Sequence, residues 1–116
     1  MKKDELKYRS YRFALEIIRM RSLLPKDKTA EVIGDQLLRS GTSIGANIVE
    51  AQSGSSKKDF TNFYSYALKS ANETKFWLCL LRDSGVGDKS LIEKLLGEAV
   101  ELANILGRSI LTMKGK

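Results

Sequence analysis

The densest run of side chains able to do chemistry lies between residues 36 and 50. Gln36, Ser40, Ser43, Asn47 and Glu50 recur at spacings of 4, 3, 4 and 3, which lines them up along one side of a helix. Amides, hydroxyls and a carboxylate in that pattern can bind a partner, or can satisfy one another inside a packed bundle. Buried polar groups must find partners, and Arg39, Ser70, Asn72, Glu73 and Thr74 are available ones. The seam, together with Arg39 and Glu73, is therefore predicted to be structural and to fix helix register; a solvated flank is the alternative. Gly34, Gly41 and Gly45 occupy the same stretch. Each costs a helix ~0.5–1 kcal/mol relative to Ala. Their spacing predicts close approach by another helix or another copy of the chain, unless the helix breaks locally at Ser40-Gly41-Thr42. No Gly-Lys-Ser ending follows them, so they do not read as a phosphate-cradling loop.

What is missing narrows the chemistry further. The chain has no His, so a His general base, a Glu-x-x-His metal site and a Ser-His-Asp triad are excluded. Cys79 is the only Cys; it can form no internal disulfide and offers no zinc site. The expectation is a protein that is not an enzyme and takes no cofactor or metal. Twenty Lys and Arg against fourteen Asp and Glu give a net charge of +6, which favours a polyanionic partner. Residues 1–26 alone carry +5, through Lys2, Lys3, Lys7, Arg9, Arg12, Arg19, Arg21 and Lys26 against Asp4, Glu5 and Glu16. The first seven of these basic residues are the candidates for contacts to RNA or DNA phosphates, which would not discriminate sequence. A merely solvated face is the other reading. The nine aromatic residues fall mostly at core spacing, which argues against a stacking platform for single strands.

These side chains need elements to hold them. At 116 residues the chain fits one domain, residues 1–116. Three short breaks, at Pro25, at Ser53-Gly54-Ser55-Ser56 and at Asp83-Ser84-Gly85-Val86-Gly87-Asp88, cut it into four segments. Asp27 or Thr29, Ser56, and Asp88 or Ser90 are suited to cap the helices that follow, and Gly85 suits a helix end. The segments, about 3–24, 28–53, 57–84 and 89–112, each carry an apolar stripe at helical period. The stripes are Leu6, Phe13, Ile17 and Leu24 in the first and Ile33, Leu37, Ile44, Ile48 and Ala51 in the second. The third aligns Phe60, Tyr64, Ala67, Ala71, Leu78 and Leu81, and the fourth Ile92, Leu95, Leu96, Ala99, Leu102, Ala103, Leu106, Ile110 and Met113. Short loops make neighbours antiparallel, so the fold class is all-α, an up-down-up-down antiparallel four-helix bundle. At ~1.5 Å per residue it should form a rod about 35–40 Å long. The longest unbroken apolar run, Phe76 to Leu81, is six residues, far short of the ~20 that a membrane span needs. With a charged start in place of an apolar leader, a cytoplasmic location is expected.

Two helices carry more apolar surface than a core requires. Tyr11, Leu15 and Ile18 form a second stripe on the first helix, and Phe76, Trp77 and Leu80 stand away from the main stripe of the third. One wide stripe serving a fat core would explain them. Contiguous exposed apolar patches on a monomer are rare, so an interface between copies is favoured, with Tyr11, Leu15, Ile18, Gly41 and Gly45 as its residues.

The run from Gln36 to Ala51, with its Gln-x-x-Arg-Ser-x-x-Ser-Ile-x-Ala-Asn-Ile pattern, resembles the signature of a bacterial family. So do Asp59-Phe60, Ala67-Leu68-Lys69 and Glu73-Thr74-Lys75-Phe76-Trp77-Leu78. The family comprises the four-helix-bundle proteins encoded in intervening sequences of large-subunit ribosomal RNA genes, often labelled S23-like. It is similar to the accessory variability determinant proteins of diversity-generating retroelements. The resemblance covers about residues 8–112. It implies a homopentameric barrel with no established enzymatic activity. It also implies nucleic acid, and a reverse transcriptase or other protein, as partners to consider.

Overall fold

The computed structural model describes residues 2–54 and 56–115. Four helices follow one another along the chain: α1 (Lys3–Leu23), α2 (Lys28–Ser53), α3 (Lys57–Ser84) and α4 (Lys89–Met113). Their ends are set by local chemistry. Pro25 pushes Leu24 into extended backbone (φ −69°, ψ 151°) and stops α1. Asp27, Ser56 and Asp88 cap α2, α3 and α4 by accepting from the backbone N–H groups of Ala30, Asp59 and Leu91. Each satisfies one of the donors that a helix start leaves open. Gly85 ends α3 in the left-handed region, at φ 75°, where a side chain would be strained.

Packing follows the apolar stripes. α2 and α3 share the longest contact, α3 and α4 the next, and α1 leans mainly on α2 while meeting α4 sparsely. The result is an antiparallel bundle of 45 × 22 × 20 Å, consistent with a longest helix of 28 residues at ~1.5 Å each. Ile17, Leu37, Ile44, Ile48, Leu78, Leu81, Leu102 and Leu106 are fully buried. Burying each such side chain contributes ~1.5–3 kcal/mol, so truncating Leu37 or Ile44 would threaten the fold. Ile33, Phe60, Leu96 and Met113, expected in the core, are only partly buried at its margin. Among the described residues there is no strand, and no helix is long and apolar enough to cross a membrane.

Candidate functional site

The polar seam of α2 divides in two. Its N-terminal half is a network that ties α2 to α3. The Arg39 guanidinium donates to Gln36 Oε1 at 3.0 Å and to Glu73 Oε2, while the Trp77 indole N–H donates to the same Glu73 oxygen at 3.0 Å. Beneath it, the buried Ser40 and Thr74 hydroxyls are hydrogen-bonded at 3.0 Å. The C-terminal half turns back on its own helix. Ser43 donates to the Arg39 carbonyl at 2.6 Å and the Asn47 amide to the Ser43 carbonyl at 2.9 Å, while Glu50 is exposed. Gln36, Arg39, Ser40 and Glu73 are thus a register device. Half-buried Ser43 and Asn47 and exposed Glu50 make no hydrogen bond to another helix among the described residues, which corrects the expectation of one continuous network. Among the described residues no buried side-chain polar atom lacks a partner, so the buried part of the seam is satisfied within the chain.

The glycines lie against α1 of the same chain. A Cβ on Gly41 would stand 2.9 Å from Ile17 Cγ1, one on Gly45 3.2 Å from Ser10 Oγ, and one on Gly34 2.6 Å from Arg21 Cδ. Gly41 and Gly45 are therefore moved from the expected interface between copies to the α1–α2 contact, where missing side chains let two backbones approach. Ser10, fully buried against Gly45 and donating to the Lys7 carbonyl at 2.9 Å, is the matching small residue on α1. It was not distinguished by type or spacing.

The second stripe of α1 lies in the open. Tyr11, Leu15 and Ile18 are 61%, 50% and 50% exposed, so they serve no fat core. Tyr8, equally exposed, extends the stripe by one turn. Tyr8, Tyr11 and Ala14 form one wall of a shallow 420 Å³ groove, and Thr42, Ala46 and Val49 of α2 form the other. On α3, Phe76 and Leu80 are exposed, whereas Trp77 packs against the core.

The basic residues of α1 separate by what they touch. Arg9 reaches α4, donating to Glu98 at 2.6 and 2.8 Å and to Glu101 at 2.5 Å. Hydrogen bonding to Glu98 is the main reason its guanidinium holds its proton more tightly than an ordinary arginine. Arg21 donates to Asp35 at 3.0 and 3.1 Å and packs over Gly34. Both are engaged by acidic partners of the same chain and leave the set of phosphate contacts. Lys2, Lys3, Lys7, Arg12 and Arg19 are exposed and make no ion pair among the described residues. Arg12 sits 5.8 Å from the Tyr8 ring centroid and Lys3 Nζ 4.8 Å from that of Phe60. The only sequence trace of the Arg9 clamp is the i, i+3 spacing of Glu98 and Glu101; their partner lies 89 and 92 residues away.

A family model described as 23S rRNA-intervening sequence protein matches residues 2–108. The chain belongs to that family. A solved structure described as a protein with unknown function from the S23 ribosomal protein family of Bacteroides thetaiotaomicron superposes with a TM-score of 0.87. It is 38% identical in sequence, and the match covers 95% of this chain and 98% of that one. No curated protein matches.

In this chain, the Gln36–Ala51 segment holds two contacts at once. Gln36, Arg39 and Ser40 face α3, while Gly41 and Gly45 face α1. One segment of α2 thus positions both of its neighbours.

Proposed function

We propose that this member of the family is a non-enzymatic, cytoplasmic homo-oligomer, a pentamer, that binds RNA or DNA through non-specific phosphate contacts. The observation that carries the reading is the outer face of α1. Tyr11, Leu15 and Ile18 are at least half exposed there, and exposed Arg12 and Arg19 lie on the same helix without an ion pair among the described residues. An apolar strip of that kind gains by being covered. Assembly multiplies the cations around one particle, so several weak phosphate contacts act together. The pentamer rests on the family resemblance, and the non-enzymatic reading on a sequence without His.

Salt dependence tests the binding. Each neutralised phosphate should contribute about −0.7 to −0.9 to the slope of log K against log salt. Arg12→Glu with Arg19→Glu should flatten that slope and weaken RNA and DNA of unrelated sequence alike, with the helical content unchanged. If neither nucleic acid binds at ~50 mM salt, where phosphate contacts are strongest, a protein partner takes the place of the polyanion.

A further inference from the structure

One end of the bundle holds a pocket unlike the others. The start of α1, the start of α3 and the end of α4 meet around a 350 Å³ cavity whose rim carries Lys2, Lys3 and Arg108. No Asp or Glu lines it, and none of the three cations makes an ion pair among the described residues. The cleft between α1 and α4 is of the opposite kind, since Glu16, Glu98 and Glu101 line it beside Arg9, Arg12 and Lys94. The floor of the end pocket is aromatic. Phe60, only partly buried, stacks on buried Tyr64 with ring centroids 4.5 Å apart and 32° between planes. Burial pushes the Tyr64 phenol above its ordinary range and keeps it neutral. Lys3 Nζ stands 4.8 Å from the centroid of Phe60, so that ring already receives a π-seeking group. Thr112 also lines the pocket.

We propose that this pocket takes one nucleotide of a single-stranded nucleic acid, with the base stacked on Phe60 and the phosphate held by Lys2, Lys3 and Arg108. An aromatic floor beneath unpaired cations matches a planar base linked to an anion: the base takes the face of Phe60 that the Lys3 ammonium covers, and exposed Lys3 moves to the phosphate. Stacking tolerates every base because each has a π-face. A duplex can offer its phosphates to the same cations but keeps its bases stacked on one another, so it gains nothing from the ring. The inference rests on the polyanion reading above and sharpens it: the strand state of the nucleic acid matters and the base sequence does not.

The test is fluorescence anisotropy of a labelled ten-nucleotide oligothymidylate and of a mixed-sequence duplex of equal length, at ~50 mM salt where phosphate contacts are strong. Wild-type protein should prefer the single strand. Phe60→Leu, which keeps an apolar side chain over Tyr64, should weaken the single strand by about 5- to 150-fold and leave the duplex unchanged. Phe60→Tyr should restore it. Lys3→Ala with Arg108→Ala should weaken both and flatten the salt slope by roughly 1.4 to 1.8, while Lys89→Ala at the opposite end of the bundle should not. Circular dichroism establishes that each variant is folded. If wild type binds strand and duplex equally and folded Phe60→Leu changes neither, the pocket is overturned while the polyanion reading stands. If wild type binds neither, both fall.

Discussion

A methyl group added at Gly41 would meet Ile17 Cγ1 at 2.9 Å, and Ile17 is β-branched and fully buried, so it has no room to turn aside. Gly97, on the exposed side of α4, has nothing within 4 Å of the same added atom. The same substitution therefore has opposite signs at the two sites. Gly97→Ala should stabilise the bundle by ~0.5–1 kcal/mol through helix propensity. Gly41→Ala should destabilise it, because overpacking costs ~1–3 kcal/mol and exceeds that gain. Thermal melts followed by circular dichroism decide both; a stabilised Gly41→Ala would mean that the α1–α2 contact is loose. At the Arg39–Glu73 pair, side-chain exposures of 57% and 35% leave solvent screening in charge. A double-mutant cycle with Arg39→Met and Glu73→Gln should give a coupling of only ~0.5–1 kcal/mol. Trp77, which loses its charged acceptor in Glu73→Gln, should shift its fluorescence emission, and unchanged emission would place the indole N–H elsewhere.

Among the elements, α1 is the least secured. It leans on α2 but meets α4 sparsely, and Arg9 with Glu98 and Glu101 is the polar bridge across that gap. Arg9→Ala should cost up to ~1 kcal/mol, since side-chain exposures of 28%, 30% and 62% at Arg9, Glu98 and Glu101 let solvent screen the bridge. The loss should appear first in α1, as faster hydrogen exchange of its amides relative to those of α3. Uniform acceleration across all four helices would show that α1 opens only with the whole bundle. The elements themselves were legible from sequence because caps and breakers act locally. Asp27, Ser56, Asp88, Pro25 and Gly85 place helix ends within a residue or two of expectation. Apolar period likewise placed Leu37, Ile44, Leu78 and Leu102 inside. What stayed hidden depends on register between helices. Spacing shows that Gly41 and Gly45 share a side, but not that α1 is what faces them. Nor does it show that Asn47 turns back on Ser43 while Ser40 crosses to Thr74. Charge counting placed Arg9 and Arg21 with the other cations because acidic partners on α4 and α2 are remote in sequence. The end pocket was missed for the same reason, since Lys3, Phe60 and Arg108 come from three different helices.

At the level of the whole molecule, two groups of exposed apolar side chains lie on helices that sit diagonally across the bundle. The α1 stripe lies on one, and exposed Phe76 and Leu80 lie on α3. A closed ring needs two different, complementary patches on each copy, because its contacts run head to tail. In the proposed pentamer these two faces supply them, and the cations Arg12 and Arg19 beside the α1 stripe then recur around the ring. Light scattering of the wild-type protein beside Leu15→Glu with Ile18→Glu tests this assembly. Both substituted positions are half exposed, so the charges should leave helicity and core intact. The wild-type mass should come out several-fold above the 13.0 kDa of one chain, at five copies, and the double variant should fall toward a single chain while remaining helical. A wild-type protein that runs as a 13.0 kDa monomer at micromolar concentration, or a double variant that assembles unchanged, would contradict it.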